Sequence, residues 1–286
     1  MSDVPGGPTP PTPPPPPPMM GGPQGGIPPK TVGDILSAAF NIYKANASQL
    51  ILVVAVVVVP LSLIAALFSG VVFAPERIRV TNTGGVVAFD YAGRGLGVLL
   101  LVGAIGALIA VLISAILQAA ILRAAAQATI GDPVDVEASY RYGLKRLWSV
   151  ILVSLLVGLI VAVGFVLLVI PGIIFLVLLS VSIPVLIVEG RRGTEAMGRS
   201  WNLVKGHFWH ALGVIVVAAL IVGIISGVIG GIGGDNWAVR WIFTAIAQIL
   251  TVPFASLVSV LLYLDLRARS EALFAETLRR ELASGT

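Results

Sequence analysis

His207 and His210 are the two histidines of the chain, spaced i, i+3 beside Phe208 and Trp209. A metal site built on them would need a carboxylate partner such as Glu195. Placement in an interfacial aromatic belt needs no such coincidence, so no metal or cofactor ligand is assigned. A serine nucleophile needs a base within hydrogen-bond reach, and no serine deep in an apolar stretch has a histidine or lysine to serve it. Cysteine is absent, which excludes disulfides, thiolate metal sites and cysteine nucleophiles. The expectation is a protein that is not an enzyme, with no catalytic residue and no cofactor.

Two groups of side chains remain. Glu189, Arg199, Lys205, Asp265, Arg267 and Arg269 stand next to the ends of long apolar stretches, where partial desolvation favours pairing. They form either structural ion pairs that lock neighbouring segments together or a site for lipid phosphates, and structural pairing of Arg199 with Glu189 or Asp265 is the preferred reading. Polar side chains inside the apolar stretches include Ser114, Gln118, Ser154, Ser180, Ser182, Thr244, Gln248, Thr251, Ser256 and Ser259. Most read as interhelical hydrogen-bonding groups, with Gln118 and Gln248 the candidates for lining a polar path. Asp, Glu, Lys, Arg and His are missing from the interior of those stretches, whereas ion-coupled transporters and proton relays place ionisable groups there.

The elements that must position these groups are membrane helices. Hydrophobic residues make up 57% and charged residues 11% of the 286-residue chain, against about a quarter charged in a soluble domain. Mean hydropathy is +1.00. So few charges cannot cover a water-soluble globule, and a net charge of +4 is too small to point to nucleic acid. Apolar stretches run from Gln49 to Ser69, Leu96 to Leu122, Leu147 to Ile170, Ile173 to Val188, Phe208 to Ile229 and Trp241 to Leu264. Most reach the roughly 20 residues that cross about 30 Å of hydrocarbon. Pro171-Gly172 reads as the tight turn of a helical hairpin, which gives six spans. On that layout 14 of the 18 Lys and Arg fall on one side, against Arg77, Arg79, Arg94 and Arg240 on the other. The positive-inside rule then places both termini in the cytoplasm.

The fold expected is an all-α membrane protein built as three units, each an interfacial helix followed by a helical hairpin. Asp34 to Lys44 and Glu195 to Lys205 match without a gap in acid, aromatic, Asn and Lys positions, and Val136 to Trp148 is a looser copy. Each segment carries an apolar stripe at helical spacing: Leu36, Phe40 and Tyr43; Val136, Tyr140, Gly143 and Leu147; Met197, Trp201, Val204 and Phe208. Such helices suit the headgroup layer, with Phe40, Tyr140, Trp201 and Trp209 as interfacial anchors. Thr31 with Asp34, Asp132-Pro133 and Thr194 read as helix starts. Gly223 to Gly227 is a GxxxG pattern that suits close helix packing. Residues 77 to 91 alternate and are β-branched around Gly84-Gly85, which predicts a small exterior β-hairpin with its turn over Thr81 to Gly85.

Residues 1 to 30 form a separate tail holding 13 of the 19 prolines. With nothing to bury, it is expected to be disordered and extended. Pro8-Thr9-Pro10-Pro11 fits the PxxP pattern of docking ligands, so the tail is a tether or a contact for a protein partner. Residues 31 to 265 form the transmembrane domain, and residues 266 to 286 a cytoplasmic helical tail of mixed Arg and Glu.

Arg199-Ser200-Trp201 with Leu203, Gly206, Phe208 and Trp209, then Tyr263-Leu264-Asp265-Leu266-Arg267 with Arg269, preceded by Pro171-Gly172 and Glu189-Gly190, resemble the glycerophosphoryl diester phosphodiesterase membrane domain family of bacterial integral membrane proteins. The Pro/Gly-rich head is similar to that of proline/glycine-rich transmembrane proteins of actinobacteria. The resemblance covers about residues 31 to 272. It implies a bacterial inner-membrane domain and does not imply hydrolysis, because the soluble phosphodiesterase of fused members has no counterpart in this chain. The function expected is non-catalytic organisation of membrane lipids or partner proteins. The alternatives are a transporter or lipid-handling channel, favoured if Gln118 and Gln248 share a cavity, and then a membrane-embedded hydrolase.

Overall fold

In the computed structural model, which describes residues 29–72, 79–83, 86–90, 96–232 and 237–271, the first helix starts at the capping pair. The Thr31 side chain accepts the Asp34 N–H while the Asp34 carboxylate accepts the Thr31 N–H, opening α1 (Val32–Ala45). Asn46 closes α1, and the chain bends by 83° into α2 (Ala47–Val72). A two-stranded antiparallel hairpin follows, β1 (Arg79–Thr83) on β2 (Val86–Asp90), in register from Arg79 opposite Asp90 to Thr83 opposite Val86. Thr81, Asn82 and Thr83 are therefore strand residues and not turn, as suits β-branched threonines beside a two-residue Gly-Gly connection. That connection, like residues 1–28 and 272–286, lies outside the described residues.

The remaining elements are α3 (Leu96–Thr129), α4 (Val136–Leu167), α5 (Val169–Leu178), α6 (Ser182–Glu189), α7 (Thr194–Lys205), α8 (Phe208–Gly231) and α9 (Trp237–Ser270). Five segments are long and apolar enough to cross a membrane: Leu108–Thr129, Val136–Leu167, Val169–Glu189, Phe208–Gly231 and Trp241–Ser270. The bent pair α1 and α2 makes a sixth when taken as one span. The molecule is an all-α, multi-pass membrane protein. At 34 residues, α9 is about 50 Å long, well beyond the hydrocarbon thickness, so its charged end projects from the apolar layer. It packs against α1, α2, α3, α6, α7 and α8, and its Leu257, Leu261, Tyr263 and Leu266 are buried in one core with Val53 and Val54 of α2, Ala119 and Ala120 of α3 and Val214 of α8.

Small residues set how closely the helices approach. A Cβ on Gly143 of α4 would stand 2.9 Å from the Ile116 carbonyl oxygen of α3, beside Ala119 and Ala120. The turn between α4 and α5 falls on Leu168, in extended conformation, and not on Pro171-Gly172. Pro171 sits in the first turn of α5, where its missing N–H leaves no bond unmade. Gly172 serves the hairpin differently: a Cβ on Gly164 would meet its Cα at 2.9 Å, so the two glycines let the helices close on each other. The return strand of this hairpin is broken at Leu179–Val181 between α5 and α6. It reaches the start of α4 again, where the Tyr142 hydroxyl donates to the Ile187 carbonyl at 2.9 Å.

Four further expectations change. Val136 to Trp148 is not a separate interfacial helix but the first turns of α4, because nothing between the segment and the span interrupts helical hydrogen bonding. The cap of α4 is Asp135, which accepts the Ala138 N–H at 3.0 Å, and not Asp132. At α7 the N-cap is Gly193, and Thr194 makes no capping bond. The Gly223 and Gly227 positions of α8 have open space where a side chain would go, so that pattern joins no helices within the described residues.

The α3–α4 contact predicts opposite results at two glycines of one helix. Gly143→Val should lower thermal stability in detergent, with overpacking costing about 1–3 kcal/mol. Gly158→Ala, where nothing lies within 4 Å, should leave stability unchanged or raise it by up to about 1 kcal/mol. Equal melting temperatures for the two variants would show that the contact is not tight.

Candidate functional site

The ionisable groups gather at one end of the bundle, where two nearly buried carboxylates organise them. Asp265, its side chain 1% exposed, accepts the backbone N–H of Lys30 at 2.5 Å and the Arg269 Nε–H at 2.8 Å. Arg269 in turn donates to the Lys30 carbonyl at 2.5 Å, so an i, i+4 pair on α9 takes both backbone groups of one residue that precedes α1. The Nε2 of His210, at the start of α8, lies 2.9 Å from Oδ2, the oxygen that also takes Arg269. It is close enough to form an ion pair when protonated, although its angle falls outside good hydrogen-bond geometry.

Glu189 is the second centre, with its side chain 7% exposed. As the last residue of α6 it meets the negative end of the helix dipole, and cations offset this. Arg191 Nε stands at 2.7 Å, Arg199 Nε at 3.0 Å and Arg267 Nε at 4.0 Å, while the Tyr263 hydroxyl donates at 3.0 Å and itself accepts from Arg267 at 3.1 Å. Arg199 also reaches Glu271 at 2.5 Å. Burial works against the Arg199 charge, but its bonds to Glu271 and Glu189 outweigh this and hold its guanidinium even more firmly protonated than usual. Burial likewise disfavours the Glu271 carboxylate, yet Arg199 and Arg267 together hold its carboxyl below the usual glutamate range. The network ties α6, α7 and α9 together.

Of the six charged residues singled out by sequence, five enter these networks. Arg199 pairs with Glu189 and Glu271, whereas Asp265 is taken by Lys30, Arg269 and His210. Lys205 is exposed and makes no ion pair among the described residues. The anchors divide in the same way. Trp209 is 80% exposed, and Phe40 and Trp201 are exposed, but the Tyr140 hydroxyl donates to the Val53 carbonyl of α2 and so joins helices. The helices carrying Phe40 and Trp201 are docked on the bundle through other residues: Ile35 and Ala39 of α1, and Ala196, Ser200, Leu203 and Val204 of α7, are buried. Among the described residues no group of His, Asp and Glu could hold a metal. Sequence reasoning missed Tyr263, Glu271 and His210 as network members; an i, i+4 reading of Tyr263, Arg267 and Glu271 on one helix face would have found two of them.

A cleft of about 800 Å³ lies between α3, α4, the α5–α6 segment and α9. Ser114, Gln118, Ser154, Ser180, Ser256 and Ser259 line it beside apolar Val111, Leu155, Ile183 and Val252. Val111 and Leu155 are exposed, so the cleft opens through the side of the bundle within the span region. Ser154 donates to the Gln118 amide oxygen at 3.1 Å, while Ser180 and Ser256 turn back to helix carbonyls. Ser114 and Ser259 make no hydrogen bond among the described residues and are available to a guest. Gln248 is exposed elsewhere and does not line the cleft. A second, apolar groove of about 500 Å³ runs between α1, α8 and α9 along Leu36, Phe40, Tyr43, Ile221, Ile225 and Phe254.

Comparison with protein-family models, with curated proteins and with solved structures gave no match.

Two measurements follow from the Glu189 network. In a double-mutant cycle, Arg199→Ala and Glu189→Ala should each destabilise the protein in detergent by about 1–3 kcal/mol, and the double variant by at least 0.5 kcal/mol less than their sum, roughly the size of a direct coupling; strict additivity would deny the pair. Because the Glu271 carboxyl is held low in the folded state, its stabilising contribution is complete above about pH 5 and is lost as pH falls through the glutamate range. Glu271→Gln should therefore narrow the difference in melting temperature between pH 7 and pH 4, and an unchanged difference would remove Glu271 from the network.

Proposed function

We propose that the protein is a non-catalytic membrane protein that binds and organises lipid, with the cleft between α3, α4, α5–α6 and α9 as the place where a lipid is held. One observation carries this reading: Ser114, Gln118, Ser154, Ser180, Ser256 and Ser259, from four separate segments of the bundle, converge on a single cleft that opens sideways. Free hydroxyls and an amide beside an apolar wall suit a guest that is partly polar and partly hydrocarbon, such as the ester region and chain of a lipid. None of the described lining residues is ionisable, which supports binding over hydrolysis. A lipid-handling channel or transporter is the second reading, supported by Gln118 at the cleft and weakened by Gln248 lying away from it. Membership of the glycerophosphoryl diester phosphodiesterase membrane domain family belongs to the same proposal. So do a bacterial inner-membrane location with the charged end of the bundle facing the cytoplasm, and a Pro-rich tail that reaches a protein partner.

In proteoliposomes containing a lipid with a photoreactive acyl chain, labelling should fall on peptides of α3 and α4 that line the cleft. Ala255→Trp, which fills the cleft, should reduce that labelling several-fold while the protein stays folded. Labelling confined to the outward faces of α8, with the cleft untouched, would end the proposal. Solute uptake abolished by Ala255→Trp would favour the transporter reading. For the orientation, a reporter fused after Gly193 should read cytoplasm, and an exterior signal would reverse it.

A further inference from the structure

The described arginines at the charged end of the bundle divide into those with a carboxylate partner and those without. Arg141, Arg191, Arg199, Arg267 and Arg269 each have a carboxylate within 4.0 Å. Arg123, Arg146 and Arg192 have none among the described residues, and the first two converge on the ring of Tyr142. The Arg123 guanidinium sits 4.4 Å over the Tyr142 ring and that of Arg146 5.7 Å from it. A Cβ on Gly190 would lie 3.6 Å from Nη2 of Arg146, so that guanidinium reaches the α6–α7 turn, which carries the exposed Arg192.

Arg123 is 6% exposed and lies inside the span Leu108–Thr129. Its Nε is buried without a hydrogen-bond partner. A cation in that position is costly unless something satisfies it, and stacking on one ring makes up only part of the cost. Asp135 is engaged in capping α4 and makes no ion pair with Arg123. One turn further along the same face of α3, the Gln127 amide oxygen is also buried without a partner. Three guanidiniums that share no carboxylate, one of them desolvated, present forked donors suited to an oxyanion with several acceptor oxygens.

We propose that Arg123, Arg146 and Arg192 form a binding site for a phosphate group at the charged end of the bundle, between α3, α4 and the α6–α7 turn. Tyr142 is the positioning residue: its hydroxyl is anchored on the Ile187 carbonyl, and its ring carries Arg123. The same phosphate chemistry could be presented by an anionic lipid headgroup or by free phosphate. The lipid headgroup is the source that the position favours, since Arg123 lies within two turns of the charged end of its span and Gln127 offers an acceptor to a headgroup hydroxyl. Recognition of a headgroup rests on the lipid-binding role proposed above, and the two are separable: acyl-chain labelling in the cleft reports one, and headgroup preference reports the other.

The full-length protein in detergent, offered equal amounts of phosphatidylglycerol and phosphatidylcholine, is examined by native mass spectrometry, and in parallel its melting temperature is followed with each lipid and with inorganic phosphate. Phosphatidylglycerol should be retained preferentially and should raise the melting temperature. The double variant Arg146→Gln/Arg192→Gln, which leaves the buried Arg123 in place, should lose about tenfold in relative retention, as expected for charge-assisted hydrogen bonds. Arg123→Gln should lose at least as much where it folds. Lys205→Gln and Arg141→Gln, which remove charge from the same end of the bundle, should behave like the parent. A melting shift produced equally by inorganic phosphate would keep the site and assign it to free phosphate. Equal retention of the two lipids with no response to phosphate, or equal losses in the double variant and in Lys205→Gln, would overturn the proposal.

Discussion

A carboxylate shut away from water must find partners, and Asp265 finds two donors, one before α1 and one on its own helix, with a histidine of α8 beside them. Its oxygens take the backbone N–H of Lys30 before α1 and the guanidinium of Arg269 on its own helix, with His210 at the start of α8 alongside. An uncompensated charge there would cost several kcal/mol, so the position of α9 fixes where α1 begins and where α8 enters. Glu189 applies the same constraint to α6 and α7 through Arg199, Tyr263 and Arg267. Between them, two acids hold five helices in register at one end of the bundle.

Elsewhere the helices have little to distinguish one apolar neighbour from another. In a lipid solvent the hydrophobic effect does not draw helix to helix, and close packing of small residues takes its place. Gly143 against Ile116 and Ala119, and Gly164 against Gly172, are the points at which backbones meet. Where larger side chains face outward, as on α8 with Ile224 and Val228 exposed, the protein presents a plain apolar surface to the hydrocarbon. The bundle thus combines polar fixation at one end with small-residue contacts along its length.

That division leaves room for binding. Serines along α3, α4 and α9 line a common cleft, with Ser114 and Ser259 making no hydrogen bond among the described residues, and two of the arginines that lack acids among those residues meet over Tyr142. Both arrangements present unsatisfied polar groups to something outside the chain. Together they support the proposal of a lipid-organising membrane protein, with hydrocarbon and ester in the cleft and phosphate at the charged end.

Composition and periodicity alone determined that the chain is a helical membrane protein, because apolar runs of this length and an 11% charged content have no other stable solution in water or lipid. Local signals were equally direct: Thr31 and Asp34 cap a helix because their side chains reach backbone groups three residues away, a matter of spacing alone. The Leu168 turn and the continuity of α4 were harder to read, since proline and glycine are tolerated in the first turn of a helix as readily as between helices. Arg123 read as a loop charge beyond a span ending at Leu122, although Ala124 to Ala128 are strong helix formers with no stop signal before Gly131. Which acid pairs with Arg199, that Gln118 faces a cleft while Gln248 does not, and that Arg123 has no carboxylate among the described residues were decided by tertiary structure. Each depends on the rotation of one helix against another, which is set by long-range contacts such as Asp265 to Lys30 and Gly143 to Ile116 and leaves no trace in local spacing.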